Sequence, residues 1–222
     1  MKTIGSEARV AVFVSLLAFG VAVFAGAAGT FPDPPAEMSQ TGTGQQIAVL
    51  AGGCFWGMEG VFERLEGVKE VVSGYSGGDA QSAQYEIVST GTTGHAESVQ
   101  ITYDPAVISY GTLLKVFFSI AHDPTELNYQ GSDHGSQYRS AIFYATEAQK
   151  NEAEAYIREL SAAKVFNQRI VTQVVPLSAF YPAEAYHQHF LDLHPDNPYI
   201  AYWDLPKLAD LNETYPELVA SR

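Results

Sequence analysis

Apolar and polar positions along this chain follow two periods, and the switches between them mark out its elements. Residues 46–51 form a short apolar run bounded by Thr and Gly, which predicts a buried strand. In residues 58–65, Met58, Val61, Phe62 and Leu65 recur at helical spacing, and Gly67 supplies a stop. Residues 68–75 predict a second strand, and residues 95–103 alternate apolar with polar until Asp104-Pro105 ends them. In that strand Glu97 has the parity of Val99 and Ile101, so a carboxylate is expected on the apolar face, costly without a task or a partner. Ser109 can cap a heavily apolar helix reaching Ile120. A polar loop over 121–135, a strand over 137–144, an Ala/Glu-rich helix over 146–163 and a strand over 170–175 follow. A short helix over 182–193 would carry His187 and His189. The tail from Tyr199, with Pro206 and Pro216, shows no core pattern and is expected to wrap the surface. Strands and helices mix without strict alternation. That predicts an α+β fold, a two-layer α/β sandwich on a mostly antiparallel sheet.

The N-terminus has a different pattern. Lys2 and Arg9 precede an apolar run from Val10 to Phe24, and Ala25-Gly26-Ala27 gives a small-residue cleavage pattern, the layout of a secretory signal peptide over 1–28. An uncleaved anchor is the competing reading and the one route to membrane attachment, although a spanning helix needs about twenty apolar residues. Residues 29–45, with Pro32, Pro34 and Pro35, read as a flexible linker. The folded domain is expected over 46–198 and the tail over 199–222. Export to a periplasm or the exterior follows from this reading.

A formal charge of −13 with only 12 Lys and Arg argues against nucleic acid or an anionic membrane surface as partner. The single cysteine excludes an intramolecular disulfide and any multi-cysteine zinc site. His187 and His189 stand at i and i+2, which face apart on a helix, so no metal is expected there.

That cysteine, Cys54, lies in Gly52-Gly53-Cys54-Phe55-Trp56-Gly57, between the first strand and the first helix. Backbone N–H groups and the dipole at a helix N-terminus favour a thiolate, so a lowered thiol pKa is expected. Phe55 and Trp56 would wall the sulfur with apolar surface. Buried cysteines are also common as inert packing, and Cys54 with His134 or His187 could instead form a secreted cysteine hydrolase.

Motifs beyond Cys54 narrow the choice. Gly53-Cys54-Phe55-Trp56-Gly57, Gly67-Val68, Gly74-Tyr75-Ser76-Gly77-Gly78, Gly94-His95-Ala96-Glu97, Tyr103-Asp104-Pro105, His122-Asp123-Pro124 and Gly131-Ser132-Asp133-His134-Gly135-Ser136-Gln137-Tyr138-Arg139-Ser140 occur in this order. Together they closely resemble the peptide-methionine (S)-S-oxide reductases, the A-type methionine sulfoxide reductases, from about Ala48 to about Pro198.

The resemblance implies a ferredoxin-like core and an oxidoreductase that repairs oxidised proteins under oxidative stress by returning methionine S-sulfoxide, free or in proteins, to methionine. It implies Cys54 as nucleophile, Glu97 as acid, and Tyr85 and Tyr138 as hydrogen-bond donors to the sulfoxide oxygen. Phe55 and Trp56 would hold the substrate methyl group, with Asp133 and His187 among the substrate-binding residues. Many relatives carry further cysteines near the C-terminus, whereas residues 192–222 here contain none. No bound cofactor is expected. Recycling a Cys54 sulfenic acid must therefore draw on an external thiol: thioredoxin, glutaredoxin or a small thiol. The chain is expected to act as a monomer.

Overall fold

The computed structural model describes residues 31–35 and 44–221. The expected signal peptide over 1–28 and most of the linker lie outside the described residues. No helix among the described residues is long and apolar enough to cross a membrane.

β1 (Gln46–Gly52) is a central strand, pairing antiparallel with β3 (Ala96–Tyr103) on one side and β6 (Ser140–Tyr144) on the other. β2 (Val68–Ser76) flanks β3, β7 (Gln173–Pro176) runs parallel to β6, and β8 (Phe180–Pro182) closes the edge beside β2. The order is β7-β6-β1-β3-β2-β8, antiparallel except at the β6–β7 pair. The expected mostly antiparallel sheet is therefore present.

Alternation along the strands splits the apolar residues between two faces. Ala48, Leu50, Val99, Ile101 and Ile142 join the main core, with Met58, Val61 and Phe62 of α1 (Phe55–Phe62) and Leu113 and Leu114 of α3 (Tyr110–Val116). Val49, Ala51, Ala141 and Phe143 form a smaller cluster on the other face. Ser109 caps α3 as expected, its hydroxyl accepting from the Thr112 N–H at 3.0 Å. The helix then widens into a π turn over Phe117–Ala121. Thr146 caps the long α4 (Glu147–Ala162) in the same way.

Four expectations need correction. The loop over 121–135 folds into a two-stranded hairpin, β4 (Tyr129–Gln130) with β5 (Asp133–His134). The helix expected over 182–193 breaks up because β8 claims Pro182 for the sheet edge and His189 adopts φ 53°, leaving a 3-10 turn over Ala185–His187 and the single turn α5 (Phe190–Leu193). Part of the supposed flexible linker is packed: Phe31 lies edge-on to Phe166, Tyr156 donates to the Pro32 carbonyl at 2.6 Å, and Asp33 pairs with Lys115. The tail is no mere wrapping. A π turn over Ile200–Asp204 leads into α6 (Leu205–Thr214), and Ile200, Asp204, Leu208 and Leu211 are buried. Pro206 sits in the first turn of α6, where its missing N–H costs nothing.

Candidate active site

β1 delivers Cys54 to the start of α1 as its N-cap residue. The turn needs Gly53: its φ is +94°, and a β-carbon there would collide with the Gln130 side chain. Cys54 is partly accessible and lines two cavities.

The first cavity, about 200 Å³, is lined by Cys54, Phe55, Trp56, Tyr85, Glu97, Asp133, Tyr138 and Tyr199. That is smaller than the roughly 300–1,000 Å³ of drug-sized sites and suits one side chain. Glu97 lies on the core face of β3, as its parity requires, and is only 2 % exposed. Its Oε2 accepts the Phe55 backbone N–H at 3.2 Å, which ties the acid to the first turn of α1. Burial pushes the Glu97 carboxyl up to about 8, against the Phe55 N–H and with help from Asp133, so it holds its proton at neutral pH. Tyr85, opening the single turn α2 (Tyr85–Val88), and Tyr138, from the 3-10 turn Ser136–Tyr138, both have hydroxyls pushed upward by burial and then by Glu97. They stay protonated donors.

The thiol corrects an expectation. Burial, then the charges of Glu97 and Asp204, push the Cys54 pKa well above its ordinary value, while the Trp56 N–H and Lys207 pull weakly the other way. Desolvation outweighs the dipole of an eight-residue helix. Cys54 therefore rests as a thiol.

Trp56 forms the opposite wall, stacked on Phe190 at 3.8 Å between ring centres. Its indole N–H donates to His187 Nδ1 at 3.2 Å, and burial lowers the His187 pKa, so the imidazole is a neutral acceptor. His187 thus positions Trp56. His134 is exposed and stacks on Tyr129. Neither histidine has a hydrogen bond to Cys54, so the hydrolase arrangement gains no support.

Three contributors escaped the sequence reading. Tyr199 donates to Asp133 Oδ2 across the cavity. Glu184 accepts from the Tyr75 hydroxyl and the Tyr85 N–H, both at 2.9 Å, which fixes the start of α2. Asp204, paired with Lys207 at 3.1 Å, stands behind Cys54, and Lys207 lines the second cavity of about 230 Å³ with Gln130, Tyr199 and Trp203. Only the density of tyrosines hinted at Tyr199; nothing local marked the others.

A family model described as peptide methionine sulfoxide reductase matches residues 46–218. The chain belongs to the peptide methionine sulfoxide reductase family. The match reaches past α6, so the family pattern includes the tail. The chain is 54 % identical over 179 residues to the peptide methionine sulfoxide reductase MsrA 2 of Mesorhizobium japonicum, covering 81 % of this chain and 92 % of that one. It is 48 % identical to the MsrA of Thermus thermophilus, covering 79 % and 98 %. Among solved structures, it is similar to reduced Mxr1 from Saccharomyces cerevisiae, with TM-score 0.63, 35 % identity and coverage of 69 % and 87 %. Methionine sulfoxide reductase A of Corynebacterium diphtheriae gives TM-score 0.58 at 34 % identity, covering 74 % and 82 %.

Proposed function

We propose that this enzyme reduces methionine S-sulfoxide to methionine, repairing oxidised proteins at the expense of an external thiol. The observation that carries the reading is the meeting of a thiol, a protonated carboxyl and two tyrosine hydroxyls in one side-chain-sized cavity walled by Phe55 and Trp56, in a chain of this family. The β1-α1-β2-β3-α3-β6 succession with strand order β6-β1-β3-β2 supports a ferredoxin-like core.

The sulfoxide oxygen accepts hydrogen bonds from Glu97, Tyr85 and Tyr138, which draws electrons from sulfur and makes it electrophilic. Phe55 and Trp56 take the methyl group. The Cys54 sulfur attacks, its proton passes to the oxygen, and the sulfoxide S–O bond breaks as the oxygen moves to Cys54. Cys54–SH and R₂SO thus give Cys54–SOH and R₂S with no net proton uptake. An external thiol then displaces water to form a mixed disulfide, and a second thiol releases Cys54–SH. Thioredoxin, a glutaredoxin-like protein or a small thiol fits this step.

The layout of residues 1–28 supports export with removal of a signal peptide, to a periplasm or the exterior. The catalytic unit is read as a monomer.

The deciding experiment is a reduction assay on both sulfoxide epimers with and without dithiol. Dithiol-dependent turnover of the S epimer alone is expected. Hydrolysis of thioesters or peptides without reductant, and no reduction, would replace this reading with the hydrolase.

A further inference from the structure

Outside the Cys54 cavities, Glu59, Glu63 and His189 each bring one ligand atom within 4.8 Å of the others. Glu59 and Glu63 stand one turn apart along α1 and its C-terminal end, so they share a helix face. The left-handed backbone of His189, at φ 53°, turns its imidazole onto that face. Nδ1 lies 2.7 Å from Glu63 Oε1 and 3.9 Å from Glu59 Oε1.

The two oxygens of Glu59 are treated differently. Oε2 is held by the Ser73 hydroxyl at 3.1 Å and the His189 backbone N–H at 3.0 Å. Oε1 is buried, on a residue 1 % exposed, and has no hydrogen-bond partner. A buried carboxylate oxygen without a partner is costly, and this one faces an imidazole nitrogen and a second carboxylate. Beside the cluster, a cleft of about 670 Å³ lined in part by Glu63, Gln188, His189 and Asp192 gives solvent access.

We propose that Glu59 Oε1, Glu63 Oε1 and His189 Nδ1 bind a zinc-class divalent cation, with water from the cleft completing the shell. Two carboxylates and an imidazole with an open position form a donor set suited to Zn²⁺, and the dication balances the two negative charges. Metal–ligand bonds of about 2.0–2.1 Å in a tetrahedron space the donors about 3.3 Å apart. The 3.9 Å separation closes and the 2.7 Å one opens by about half an ångström each, within reach of a His189 side chain 59 % exposed. The site clamps α1 to the 185–193 segment that holds His187 against Trp56. It uses no residue of the proposed reductase cavity and stands or falls independently of that function.

Titration calorimetry of ZnCl₂ into the full chain bearing Cys54→Ser, which removes the one competing thiol, tests it. One Zn²⁺ per chain is expected, with a raised thermal midpoint by mass action. Glu63→Gln and His189→Asn should each weaken binding by about tenfold or more. His194→Asn, an exposed imidazole, should leave it unchanged. Anomalous scattering from a zinc-soaked crystal should place the ion between Glu59, Glu63 and His189. Absence of binding below about 100 µM Zn²⁺, equal affinity in the Glu63 and His189 variants, or an ion at any other position overturns the proposal.

Discussion

Gly57, in the first turn of α1, lies so close to the buried Asp204 that a β-carbon on it would overlap the Asp204 carboxylate and approach Lys207 Nζ to 2.9 Å. The nucleophile's helix and the tail are therefore packed without room for one methyl group. Gly57→Ala gains up to about 1 kcal/mol of helix propensity. It also forces the fully buried Asp204 carboxylate away from its half-buried partner Lys207, and overpacking costs about 1–3 kcal/mol before the pair's own loss. The clash wins. A lower urea midpoint is expected, and an unchanged or raised midpoint would show that α6 moves aside freely.

Cys54→Ser should abolish reduction and leave the fold intact, because the change is nearly isosteric but removes the sulfur that takes the oxygen. Turnover above a few per cent of wild type, with unchanged circular dichroism, would remove Cys54 from the chemistry.

The chemical step should fall as pH rises through about 8, since Glu97 is held protonated up to there and only the protonated form can donate to the oxygen. Glu97→Gln should slow that step by about a hundredfold or more and erase this limb of the profile. Single-turnover rates between pH 6 and 9 measure both. The same shift bears on stability. Unfolded Glu97 ionises near 4.5 and folded Glu97 near 8, so the folded state binds the extra proton between them and loses stability as pH rises through that window. Glu97→Gln should flatten that dependence in denaturant titrations.

Without reductant, one methionine should form per enzyme and Cys54 should persist as a sulfenic acid. No second thiol exists in the chain to form a disulfide with it. Mass spectrometry with a sulfenate-trapping reagent after one turnover reads this directly. An untrapped free thiol alongside one equivalent of methionine would mean that another group accepted the oxygen.

What could be read in advance was what local pattern controls. Parity along one strand put Glu97 on the core face, and the turn between strand and helix put Cys54 where a ligand can reach it. Ser109 announced its helix through capping, and the Ala/Glu-rich run from 146 announced the next. The misses were decided by distant partners. Nothing near Pro182 says that β2 will recruit it as an edge strand, and nothing near Asp204 says that Gly57 leaves space for it. The thiol's raised pKa likewise depends on how completely β3, α1 and the tail exclude water, a quantity that no local spacing encodes.

The pairing of Leu50 with Val99 has a consequence for when the enzyme becomes competent. Cys54 and Glu97 meet only because β1 and β3 align across some fifty residues of intervening chain, and Asp204 and Lys207 reach the thiol only from the far end of the polypeptide. Such distant pairings close slowly, since loop entropy is lost before contacts repay it. A growing or refolding chain therefore carries an ordinary cysteine for most of its assembly. Its sulfur acquires this environment late, so recovery of turnover after dilution from denaturant should lag the recovery of helical signal.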